Sequence, residues 1–413
     1  MHTSYQQSVT LVSPLKLDHS YNNLIMIASE IHEDCGPNVS DDASNFFQSD
    51  RDLAKQNAKD SKRIRHALTG SPISLPSKVL DVQFASDPDQ TGPSKGHVYA
   101  YVAESGHVAR KYNLVTGKWT KAYKGHTGPV TSIAVAVNAA GEDAVIVTAS
   151  WDKTVRKWNA QTGESLMKLT GHKDFVKKVI IHDNNIISGS ADTTVKMWDL
   201  NTGRLLRTFK DHSRGVEDIL VFEGGTKLAS ASSDGSIKIW DMGAGTVLAT
   251  LKGHLTSVYK LAMSEEGDLW SASADKTLKR WDLNTELEDT SLEHPDFVKA
   301  VAVSGRYVFT GCRDENVRVW DTASDKVVRV MNAHSDEVSV IALRGSVVWS
   351  GSIDCTIRRW DVSDLVGGTK EEDLFGVLTS TDDPTIDSTF PSTVGGSGLT
   401  NDEEAELADL MAE

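Results

Sequence analysis

One spacing constrains this chain more than any other property. An Asp stands six residues before a Trp at Asp152, Asp192, Asp234, Asp275, Asp314 and Asp354, and successive copies are 40, 42, 41, 39 and 40 residues apart. A fixed period of about 40 residues means one supersecondary unit copied in tandem, and such a unit decides the architecture before any single residue does. Within each period, short runs rich in Val, Ile, Ser and Thr, such as 144–149 and 226–231, are bounded by Gly, Asp, Asn and Ser, with no sustained helical period. Each unit therefore reads as four short antiparallel strands. One such sheet cannot bury both faces, so neighbours must stack, and radial closure leaves only short edges unpaired. The expectation is an all-β propeller.

Charge and composition narrow the classes of function. Of the excess acidity behind a net charge of −15, twelve acidic residues and no Lys or Arg lie between Glu371 and Glu413, so the repeat body is close to neutral. A general affinity for phosphate backbones is not expected, and nucleic acid is not an expected direct ligand. The hydrophobic content of 39% supplies a core, and no apolar run is long enough to cross a bilayer. No basic segment leads into an apolar stretch at the N-terminus. The three cysteines, Cys35, Cys312 and Cys355, include no C-x-x-C, which reads against a disulfide scaffold or thiolate metal site. A cytoplasmic or nuclear location is expected.

The repeats carry a recognisable signature. Trp-Asp pairs occur at Trp198, Trp240, Trp281, Trp320 and Trp360, with Trp158 followed by Asn159, and each is preceded upstream by a His: His126, His172, His212, His254, His294 and His334. Through these residues the chain resembles the WD-repeat β-propeller family over roughly residues 61–366. The resemblance implies seven blades of four-stranded antiparallel sheet, the first being degenerate: from Lys78 to Tyr112 the apolar spacing is kept, while Tyr112 stands for Trp, Gly106 for Asp and Val102 for Ser or Thr. It also implies that one terminus closes the ring, either 63–70, which reads like 165–171 and is favoured, or 373–380. Residues 1–60 are expected as a flexible tail with a short helix near 52–62. The acidic segment 367–413 is expected to be disordered apart from a short helix over 401–412.

His, Asp and Trp together invite a catalytic reading, but six copies of one active site in one chain make no sensible enzyme. A Ser or Thr lies four residues before each Asp, at Thr148, Ser188, Ser230, Ser271, Thr310 and Ser350. The expected role is a buried chain from Trp N–H through the hydroxyl to His and then Asp, in which each polar group satisfies the next. No phosphate loop, zinc-helix or nucleophile-elbow motif is present. No enzyme activity, cofactor or metal is expected.

Function then falls to loops held on a rigid frame. The resemblance places partner contacts on the narrower face, at positions three and five after each His and just before each Asp. The informative residues there are Trp151, Phe175, Lys177, Glu217, Tyr259, Phe297, Lys299, Arg313, Glu337 and Ile353. Four aromatics with Arg and Lys read as anchors for a protein or peptide, and the excess of cations fits an acidic or phosphorylated segment. The expected function is a non-enzymatic scaffold or adaptor. A ubiquitin-ligase substrate receptor and an assembly factor for an RNA-protein particle are the alternatives.

Overall fold

The computed structural model of the chain describes residues 50–86, 98–138 and 141–366, which build seven four-stranded antiparallel sheets. The blades span 79–124, 130–169, 176–210, 216–252, 258–293, 298–331 and 338–361. In the first six the strands follow one another outward in chain order, here a to d, the seventh span supplies only a to c, and neighbouring a strands lie against each other all round the ring. The expectations for 1–49 and 367–413, including closure by 373–380 and the helix over 401–412, lie outside the described residues, as do residues 87–97.

The hydrophobic core lies between blades. The interface of blades 2 and 3 buries Val147, Ala149 and Leu169 against Val176, Val179, Ile186 and Trp198, and six further clusters repeat this arrangement. Each strand-c Trp thus fills a gap that its own sheet cannot fill alone. This is why the period, and not any single unit, is stable.

The last blade is closed from the N-terminal side, though not by 63–70. Its outer strand is β1 (Ile73–Ser74), which pairs with Ile357 and Thr356. Upstream, α1 (Asp50–Arg65) runs across the boundary expected at residue 60 and ends in turns over 66–70. Of the segment expected as a strand, Gly70 makes a strand-like contact, its carbonyl accepting from the Arg359 N–H at 2.7 Å. Buried Arg358 anchors the turns that follow the helix: its guanidinium donates to the carbonyls of His66, at 2.9 Å, and Thr69.

One local device shapes the site. All seven a strands carry a bulge between their first and third residues. The extra residue is left out of the ladder and its side chain is re-aimed. In blades 2 to 7 that residue is the fifth after the His: Thr131, Lys177, Glu217, Tyr259, Lys299 and Ser339.

Candidate protein-interaction face

Five blades hold the expected polar chain at close range. In blade 2, Trp158 Nε1 donates to Thr148 Oγ1 at 2.8 Å, which lies 2.8 Å from His126 Nε2, while His126 Nδ1 sits 2.8 Å from Asp152 Oδ2. Trp198, Ser188, His172 and Asp192 repeat it, as do Trp240, Ser230, His212 and Asp234. Trp281, Ser271, His254 and Asp275 form the fourth, and Trp360, Ser350, His334 and Asp354 the fifth. An ionised carboxylate only accepts, so the His proton sits on Nδ1 and Nε2 is left to accept from the hydroxyl.

The Asp also gathers the loops. In these five blades the backbone N–H after the His reaches Asp Oδ2, and a Thr or Ser hydroxyl two residues beyond the Asp reaches Oδ1 at 2.6 Å, as in Thr127 and Thr154 for Asp152. Burial alone would raise Asp152, but hydrogen bonds from Thr154 and His126 outweigh it and hold the carboxyl down to about 2. Asp192, Asp234, Asp275 and Asp354 are lowered in the same way. Burial pushes His126 and His212 down, favouring the neutral ring this chain requires. With the ring N–H, the hydroxyl and both carboxylate oxygens engaged, these residues hold strands to loops.

Blade 6 departs from the expected pattern. Trp320 still donates to Thr310, which meets His294, at 3.1 and 3.0 Å, but His294 Nδ1 turns to the Leu292 carbonyl and Asp314 pairs with Arg318. Three substitutions account for it. Pro295 follows the His and has no N–H to give. Cys312 stands where the other five blades have a Ser whose Oγ accepts from the Asp N–H, and Asn316 replaces the Thr or Ser that donates to Oδ1. Asp314 turns to a cation instead, and burial lowers His294 to about 4.

Blade 1, lacking all the signature residues, uses another hub. Fully buried Glu104 accepts from Tyr112 Oη at 2.9 Å and Ser77 Oγ at 2.7 Å and pairs with Arg110. Glu104 sits where blades 2 to 5 and 7 place the Ser two residues before the Asp. That column of the repeat was the signal available in the sequence.

A second unforeseen cluster lies one residue beyond the bulges. Lys178 Nζ bonds Asp81 Oδ2 at 2.8 Å, joining blades 3 and 1, and Lys260 Nζ lies 3.5 Å from Asp218 Oδ1. Burial would raise Asp81, but the charges of Lys178 and Lys260 hold it below the usual carboxylate range. Burial works against Lys178 too, yet Asp81 and Asp218 raise it. The four charges balance.

The residues expected to bind partners share the face that carries the His and Asp loops. Trp151 and Phe175 stack across blades 2 and 3, ring centroids 5.2 Å apart and planes 20° apart, yet remain 44% and 39% exposed. Tyr259 and Phe297 are half-buried and covered: Lys299 Nζ lies 3.8 Å from the Tyr259 ring centre and the Arg313 guanidinium 5.1 Å from that of Phe297. Lys177 pairs with Glu217 at 3.3 Å and Lys299 with Glu337 at 3.6 Å, so the expected basic excess is largely neutralised. Arg313 is exposed, and Ile353 is half-buried with its N–H on the Glu337 carbonyl.

A ring of seven such blades, five of them with this quartet, defines a repeat propeller. The family model described as WD domain, G-beta repeat, matches residues 117–159, 163–199, 203–241, 245–282 and 287–321. An uncharacterized WD repeat-containing protein of Schizosaccharomyces pombe is 34% identical over 305 residues, covering 70% of this chain and 81% of that protein. The chain belongs to the WD-repeat family. A coronin-like protein of Saccharomyces cerevisiae is 38% identical over 71 residues, and myosin heavy chain kinase C of Dictyostelium discoideum 30% over 67. These two matches cover only 17% and 16% of this chain and 11% and 9% of those proteins. Propellers of the family serve in general as protein-interaction scaffolds, and are in general not enzymes. No helix among the described residues is long and apolar enough to cross a membrane.

Proposed function

We propose that this propeller is an adaptor that binds a partner protein through a short segment laid across blades 2 and 3 on the His/Asp face. The observation that carries the reading is the Trp151 and Phe175 stack, two large aromatic rings left open to solvent by loops whose bases are fixed by the quartets of His126 and His172. Rings fixed in this way lose little conformational freedom on binding, and such residues dominate interface energies. Lys153, Lys173 and Arg214 stand exposed on the same face, against Asp174, so a segment with an apolar anchor flanked by acidic or phosphorylated residues fits best.

The test is Trp151→Ala combined with Phe175→Ala in the full chain, followed by quantitative affinity purification. Loss of two hot-spot aromatics costs about 2 kcal/mol each, so the main partner should be recovered at least about a hundredfold less well. Unchanged recovery at unchanged thermal stability would remove the assignment.

A further inference from the structure

The same face has a second sector, over blades 6 and 7, and it is occupied. There α1 places three side chains from one helix face on the propeller: Lys59 Nζ on Asp336 Oδ2 at 2.8 Å, Lys62 Nζ on Glu315 Oε2 at 2.5 Å, and Arg63 Nε on Ser335 Oγ at 3.1 Å. Glu315 lies in the turn after strand b of blade 6, and Ser335 and Asp336 in the loop entering blade 7. Two neighbouring blades thus present acceptors at the spacing of residues i, i+3 and i+4 of a helix.

The seat is held by charge and little else. Ile64 and Leu68 are 64% and 56% exposed, so they do not bury against the propeller. Both ion pairs keep contact with solvent, the Lys59 pair more than the Lys62 pair, and such pairs contribute little each. The helix is secured instead at its C-terminal end, through Arg358 and the Gly70 contact, and that hinge keeps α1 near its seat whether or not the seat is filled. Arg313 and Glu337 are chain neighbours of the residues it touches, and the Ile353 N–H bonds the Glu337 carbonyl.

We propose that the Glu315, Ser335 and Asp336 seat is a docking site for a basic helical segment of a partner protein, and that α1 is its intramolecular occupant, displaced when the partner binds. The chemistry of the site is given by its resident: cations at i, i+3 and i+4 meeting two carboxylates and a hydroxyl. The site is separate from the Trp151 and Phe175 sector.

The probe is a fluorescent synthetic peptide of residues 50–65, titrated at low salt into the full chain and into full-chain Lys59→Glu/Lys62→Glu/Arg63→Glu, whose own helix is repelled. The peptide should bind the charge-reversed chain at least about tenfold more tightly than the wild type, lose that binding when Glu315→Lys/Asp336→Lys is added, and weaken as salt rises. In parallel, Glu315→Lys/Asp336→Lys alone should accelerate amide hydrogen exchange in α1 at least about fivefold. Equal affinity for the two chains, none included, or unchanged exchange in α1, would overturn the proposal. A dimer in light scattering that Lys62→Glu dissociates would overturn it as well, by making a second copy the occupant. Trp151→Ala/Phe175→Ala leaves the peptide's affinity unchanged, so failure of either site is read separately.

Discussion

Blades 4 and 6 have the same strands, the same Trp-Asp pair and the same His, yet only blade 4 completes its quartet. In blade 4, Asp234 receives His212 at 2.9 Å, the Ser213 N–H at 3.0 Å and the Ser236 hydroxyl at 2.6 Å, and its own N–H reaches Ser232. In blade 6 the matching positions are Pro295, Asn316 and Cys312, and Asp314 is drawn to Arg318 while His294 turns away. The blade still forms. The lesson is that interblade packing makes the sheet, while the quartet fixes the loops at its rim. Where the quartet fails, the rim is bridged from outside: α1 touches the Glu315 turn and the neighbouring 335–336 loop.

Four variants probe this division of labour, the largest effect coming from the blade that shares none of the signature. Glu104→Ala in blade 1 removes a fully buried carboxylate and strands Arg110, Tyr112 and Ser77, and should destabilise by about 3 to 5 kcal/mol in chemical denaturation. A loss below about 1 kcal/mol would mean that Glu104 is no hub. Next come the matched pair. Asp234→Ala leaves several buried donors unpaired and should cost about 2 to 4 kcal/mol, whereas Asp314→Ala in blade 6 should cost less than half as much. Equal costs would break the comparison. The smallest effect is a gain: Pro295→Ser/Cys312→Ser/Asn316→Thr supplies what blade 6 lacks and should stabilise by about 1 kcal/mol, with the His294 ring shifting to Asp314 by NMR. Without that shift, the three residues would not be the cause of the departure.

Much of this was legible because it repeats. The 40-residue period identifies the propeller, and the columns of the repeat place the quartet and the bulged residues of the rim. The same columns held unused signals: Glu104 in the Ser column of blade 1, and Pro295, Cys312 and Asn316 in blade 6. The family model matches blade 6, whose quartet fails, and leaves Val338–Arg344 and its following strands unmatched although their quartet is complete. Other features had no local signal. A two-residue strand such as β1 is too short to show alternation, and α1 is polar on the face it docks, so no apolar stripe announces a buried side.

The sequence by itself determined the unit: four strands, a Trp to pack, and a His, Asp and hydroxyl to satisfy one another within a single period. Only the tertiary structure decided what happens between units distant in the chain. Lys178 meets Asp81 across 97 residues, and Lys59 and Lys62 meet Asp336 and Glu315 across more than 250. Those contacts exist because closing the ring brings blade 3 to blade 1 and the N-terminal helix to the last two blades. No local pattern encodes that meeting, since each charge would be equally at home in water until closure supplies its partner.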